Sequence, residues 1–197
     1  MINQLNDINN LIRKEADHIL YEKGFLQILR SYGTAHITGS YALNLMTWRD
    51  LDVYLETADI TEESFFKLGA EINALFNPVK MSYRNERITK TEGLPVGLYW
   101  GIYLGNERMG AWKIDLWAVG KSECRQRIKF CNEIAAKLTS SSREIILAIK
   151  SECWQDPEYR RSYGSQDIYE AVFSEQVKNI HEFKEFLKTK MGISKSL

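Results

Sequence analysis

The residues best suited to chemistry in this chain are three aspartates and a glycine–serine pair. Asp50-Leu51-Asp52-Val53 alternates acidic and apolar residues, so on a strand Asp50 and Asp52 share one face while Leu51 and Val53 share the other. Two carboxylates held that close repel, and a divalent cation between them is the usual remedy. Hard oxygen ligands with no histidine or cysteine nearby suit magnesium, which takes one or two carboxylates together with phosphate oxygens and waters. A third acid, Asp115, lies in Trp112-Lys113-Ile114-Asp115-Leu116-Trp117, where alternation puts Lys113, Asp115 and Trp117 on one face. If that strand neighbours the first, three carboxylates converge. Two magnesium ions held there would clamp the entering and leaving oxygens of a phosphoryl-type transfer, a reaction that needs mainly positioning and charge neutralisation.

Nine residues separate this pair from Thr38-Gly39-Ser40. Gly39 permits close backbone approach, Ser40 adds a hydroxyl donor, and N–H groups at the start of the following helix can hold a phosphate. Lys113 is a further phosphate-side candidate, although a solvated lysine is the commoner use of such a residue. Taken alone, Asp-Leu-Asp reads as a solvent-facing strand edge and Gly-Ser as an ordinary turn; their joint spacing with Asp115 shifts the balance towards a site. In that site Asp50 and Asp52 would ligate both metals, and Asp115 would hold one and draw the proton from an acceptor hydroxyl.

Positioning these groups requires a strand–turn–helix–strand unit and a later strand beside it. Residues 3–30 carry a helical apolar stripe broken at Gly24, and Thr34–Thr38 is a short β-rich run. Ser40 is expected to cap a short helix over Tyr41–Met46, ahead of a strand over Arg49–Leu55. Thr61 caps a helix reaching about Phe76 and closed by Pro78. Strands are expected around Met81–Ile88, Leu98–Leu104 and Ala111–Val119, the last two forming a hairpin through Gly105–Gly110. Beyond Gly120 the pattern is helical: about Ser122–Leu138, Ser141–Trp154 and Gln166–Lys190. The expected fold is therefore α/β (α+β), a mixed sheet flanked by helices over residues 1–120, followed by a helical domain over 121–197.

Composition narrows the function classes. The 26 basic and 26 acidic residues cancel, which argues against a protein held to long nucleic acid by counterion release. Three cysteines without a C-x-x-C pair suggest neither a disulfide framework nor a zinc knuckle. The absence of a leader pattern or long apolar run leads to the expectation of a cytoplasmic protein with no membrane partner. The three histidines are scattered, and Tyr99, Trp100 and Trp117 are expected mainly in packing. Arg125, Arg127, Lys129 and Lys150 are cationic positions equally compatible with a solvated helix face.

In order and spacing, Thr38-Gly39-Ser40, Asp50-Leu51-Asp52-Val53 and Asp115 resemble the signature of the DNA polymerase beta-like nucleotidyltransferase superfamily. The resemblance covers about residues 34–118. In its compactness the chain is more similar to the short bacterial antibiotic-type and minimal nucleotidyltransferases than to polymerases. The resemblance implies a nucleoside triphosphate donor, with ATP expected, two magnesium ions and pyrophosphate release. The acceptor expected is a hydroxyl of a small, antibiotic-like molecule; a protein or tRNA acceptor, or a non-catalytic nucleotide-binding descendant, is the alternative. A monomer or homodimer is expected.

Overall fold

A computed structural model describes residues 2–192. The N-terminal stripe folds as α1 (Ile2–Asp17), a π-helical turn (His18–Glu22) and, past Gly24, α2 (Phe25–Arg30). Strand β1 (Thr34–Ile37) leads into a single turn, α3 (Gly39–Ala42), and then β2 (Asp50–Glu56). Helix α4 (Glu62–Phe76) is capped as expected by Thr61, whose hydroxyl accepts the Ser64 N–H. There follow β3 (Lys80–Asn85), α5 (Glu86–Thr89), β4 (Gly97–Tyr103) and β5 (Lys113–Val119). The chain continues with α6 (Lys121–Lys137), α7 (Ser140–Cys153), α8 (Ser165–Phe173) and α9 (Ile180–Lys190).

Three local expectations are corrected. Ser40 does not cap a helix over Tyr41–Met46: the turn begins at Gly39, has no side-chain cap, and ends where Asn44 takes the left-handed conformation. The strand expected to reach Ile88 stops at Asn85, whose side chain accepts the Arg87 N–H and opens α5 instead. The last helix is two, because Gln176 is left-handed and Asn179 starts a new helix by accepting the Glu182 N–H.

The five strands lie in the order β1-β2-β5-β4-β3. Only β2 and β5 pair in parallel; the other neighbours are antiparallel. Strict alternation divides the sheet's faces. Leu51, Val53 and Leu55 of β2, Ile114, Leu116 and Ala118 of β5, and Leu98, Trp100 and Ile102 of β4 turn to one side. There they pack against α1, the π-helical turn, α2 and α4 through residues such as Ile12, Leu20, Phe25 and Phe65. Trp100 belongs to this core and donates its indole N–H to the Phe65 carbonyl, so it stands on the face away from the aspartates. A second core gathers α7, α8 and α9 and takes in Leu43 and Leu45 from the segment between α3 and β2. Among the described residues, no helix is long and apolar enough to cross a membrane, and all three cysteines are free.

One polar tie fixes where β2 begins. Arg49, the residue before Asp50, holds the Glu15 carboxylate with two nitrogens, at 2.5 and 2.7 Å, and the Trp112 indole reaches the same carboxylate at 3.2 Å. Helix α1 is thereby joined to the starts of β2 and β5. Both ion-pair partners are about a third exposed, at 32% each, so solvent screening discounts the pair. A double-mutant cycle of Glu15→Gln and Arg49→Met, read by urea unfolding, is expected to give a coupling of about 1 kcal/mol that shrinks with added salt.

Candidate active site

The β2–β5 register sets Asp50 opposite Lys113, Asp52 opposite Asp115 and Tyr54 opposite Trp117. All three aspartates therefore stand on one face, and each offers an oxygen lying within 4.8 Å of those of the other two. Asp50 and Asp115 keep 18% and 16% of their side-chain exposure. Burial is the main reason that Asp50 is pushed up to about 8, with Asp52 and Asp115 adding and Lys113 opposing. Asp52 is pushed up to about 6, again first by burial and then by Asp115, against Lys113 and Lys150.

Two lysines from different elements, with Arg160 as a weaker third cation, act on this cluster. Lys113 lies between the carboxylates, bonded to Asp115 and 3.9 Å from Asp50. Burial pulls its ammonium down, but Asp50 and Asp115 together outweigh that and hold it above the usual lysine range. Lys150 comes from α7, fully buried, and donates to the Ser40 hydroxyl at 2.6 Å and to the Leu45 carbonyl at 2.9 Å. Burial brings Lys150 down to about 8, against the pull of Asp50 and Asp52. Its placement had a signal in the sequence: Ile146, Lys150 and Cys153 fall on one stripe of α7, a place a solvated lysine avoids.

Gly39 sits where no side chain fits. Its φ is +61°, and a Cβ built there would lie 2.0 Å from Asp52 Oδ2. The glycine–serine turn is thus seated directly against a carboxylate. Gly101, opposite Asp115 on β4, plays a similar part that the sequence did not disclose. A Cβ at Gly101 would meet the Tyr99 hydroxyl at 2.5 Å. That space lets Tyr99 reach across and donate to Asp115 Oδ1 at 2.5 Å.

Between the aspartates and α6 lies a cleft of about 190 Å³, lined by Gly39, Ser40, Asp50, Asp52, Arg127 and Tyr169 among others. Of the cationic positions on α6, Arg127 enters this cleft, paired with Glu123 at 2.9 Å; Arg125 and Lys129 line a separate shallow groove with Ile128. Lys113 lies on the carboxylates themselves, and Trp117 packs beneath Tyr99 with ring centres 4.7 Å apart.

No family model matches the sequence, and no curated relative was found by sequence comparison. Solved structures do match. One is a GLD-2/RNP-8 complex, at TM-score 0.52 and 10% identity over 88% of this chain and 64% of that one. Another is a cytoplasmic RNA terminal U-transferase, at TM-score 0.53 and 12% identity over 87% of this chain and 50% of that one. This chain has the DNA polymerase beta-like nucleotidyltransferase fold. It spans about half to two thirds of the length of these two chains, and at such identities the likeness concerns the fold alone. On this nucleotidyltransferase fold, Asp50, Asp52 and Asp115 form a candidate divalent-metal triad.

The raised carboxyls have a measurable consequence. In the folded chain Asp50 and Asp52 keep protons that the unfolded chain, at 3.8, has already lost. The folded state therefore binds more protons between about pH 4 and pH 8, and its stability falls as pH rises through that window. Urea unfolding across this range without metal should show the decline, and Asp50→Asn should remove most of the slope above pH 6. Added magnesium should stabilise the protein more at pH 8 than at pH 6, because it competes with those protons.

Proposed function

We propose that the protein is a magnesium-dependent nucleotidyltransferase that moves a nucleoside monophosphate from a nucleoside triphosphate, with ATP as the expected donor, onto a hydroxyl of a small-molecule acceptor. One observation carries this reading: three carboxylates from adjacent parallel strands converge beside a glycine–serine turn that is seated against one of them.

The donor set fits magnesium. It consists of hard oxygens, and Asp50 Oδ1 is buried with no hydrogen-bond partner, 3.9 Å from Lys113 Nζ, an acceptor of the kind a closer cation would satisfy. Asp50, Asp52 and Asp115 would hold the ions. When bound, magnesium supplies charge neutralisation along the triphosphate and favours loss of the acceptor hydroxyl's proton.

The chain's own groups do the rest. Lys150 donates to the Ser40 oxygen, so the Ser40 O–H proton stays free to be given to a phosphate oxygen. Gly39 presents bare backbone on the same side. Lys113 balances charge on the carboxylates, and its release from Asp115 would free that oxygen to take a proton or an ion. Tyr99 holds the other Asp115 oxygen and so fixes the carboxylate's plane. Tyr54, Phe130 and Arg127 line the same cleft, where a base and its phosphates would lie.

A second reading places the acceptor at the 3′ end of an RNA, which is favoured by the likeness to an RNA terminal U-transferase. The balanced charge of 26 basic and 26 acidic residues favours the small acceptor.

Pyrophosphate release, measured with each of the four ribonucleoside triphosphates and magnesium against aminoglycosides, lincosamides and a short single-stranded RNA, tests both readings. Asp50→Asn/Asp52→Asn is expected to lower the rate on the order of 10³-fold, the loss of several kcal/mol of charge stabilisation. Release driven only by RNA would replace the small-acceptor reading. Silence of the wild type in every combination, with no nucleotide binding by calorimetry, would sink the transferase itself.

A further inference from the structure

We propose that His36, Glu56 and Cys124 form a second metal site, built for zinc, that pins the first turns of α6 to the edge of the sheet.

The three residues come from β1, β2 and α6, and each offers a ligand atom within 4.8 Å of the other two. Alternation along β2 explains how they meet. Asp50, Asp52, Tyr54 and Glu56 share a face, and His36, set opposite Tyr54 on the edge strand β1, turns to the same side. Helix α6 lies along that face in the opposite direction. Cys124 meets Glu56, Arg127 comes beside Tyr54, and Cys131 reaches the Gly39 backbone. Glu56 is four residues beyond Asp52, or about 13 Å along the strand, so this cluster stands apart from the aspartates.

The geometry suits a tetrahedral ion. His36 Nε2 lies 3.4 Å from Glu56 Oε2, and Zn–N and Zn–O bonds of about 2.0–2.2 Å at the tetrahedral angle put two such ligands about 3.3–3.5 Å apart. His36 Nε2 is also shielded from solvent and has no hydrogen-bond partner. A buried nitrogen left without a hydrogen bond is destabilising, and a metal bond would remove that cost. The donor set of imidazole, carboxylate and thiol is a zinc set, softer than the all-oxygen triad. The two clusters would thus sort cations by ligand chemistry.

Without metal, burial and then the Glu56 charge push the Cys124 thiol up to about 11, so zinc would bind as the thiol proton leaves to solvent. His36 and Glu56 keep 29% and 26% of their side-chain exposure, enough for water to complete the coordination. Along its 17 residues α6 buries only Cys124 and Ile134. A metal bond at Cys124 would therefore add restraint to a lightly held helix, the same helix that lines the cleft with Arg127, Phe130 and Cys131. This proposal stands independently of the transferase reading.

Cobalt titration of the metal-stripped protein tests it. The expected result is a one-equivalent thiolate-to-cobalt charge-transfer band with tetrahedral visible bands, displaced by zinc, absent in Cys124→Ala and kept in Asp50→Asn/Asp52→Asn. His36→Gln, on the sheet edge, serves if Cys124→Ala fails to fold. It should weaken zinc by more than about a hundredfold, beyond the loss of an outer-shell partner. No band in the wild type, a band that survives Cys124→Ala, unchanged zinc affinity in His36→Gln, or loss of the band in the double aspartate variant would each overturn the proposal and leave Cys124 as an apolar residue packed with Tyr99 and Trp117.

Discussion

Like-charge crowding is the constraint around which the rest of the molecule is arranged. Parallel pairing of β2 with β5 sets Asp52 opposite Asp115, with Asp50 two residues away on the same face. Burial and mutual repulsion disfavour ionisation of Asp50 and Asp52, and nearby cations oppose that. The fold brings two lysines to them, one from β5 itself and one from a helix a hundred residues after the aspartate pair. The tie from Arg49 to Glu15 and the close seat of Gly39 against Asp52 then fix the strand that bears the charge.

The two faces of the sheet divide the labour. One is an ordinary apolar surface, closed by α1, α2 and α4, and it needs only residues of suitable size. The other bears Asp50, Asp52, Tyr54 and Glu56 in a row and is covered by a helix that buries little of itself. The contrast follows from the period of two. Each residue on β2 serves either the core or the polar row, and none serves both.

That same period made much of the candidate site legible in the sequence. Alternation predicted the shared face of Asp50 and Asp52, the shared face of Lys113 and Asp115, and the apolar residues behind them. Groups that arrive from elsewhere could not be read so easily. Tyr99 lies on β4, where every residue from Gly97 to Ile102 is buried, so a continuous apolar run hid which face it occupied. Its hydroxyl reaches Asp115 only across the space above Gly101. The stop between α8 and α9 was missed because Ser174–Asn179 contains neither glycine nor proline. Lys150 is visible in the sequence as a cation, yet its partners, Ser40 and Leu45, lie more than a hundred positions away, beyond the reach of local patterns.

That separation bears on the order in which the molecule can be made. As the chain leaves the ribosome, Asp50 and Asp52 emerge well before β5 can pair with them, and later still comes the α7 lysine that bonds Ser40. Until then Leu43 and Leu45 lack the helices they pack against. The segment between α3 and β2 is therefore finished by residues translated long after it, and a ribosome-bound chain halted near residue 120 would carry the glycine–serine turn without its anchor. The part of the molecule around the aspartates is among the last of a new chain to take its final shape.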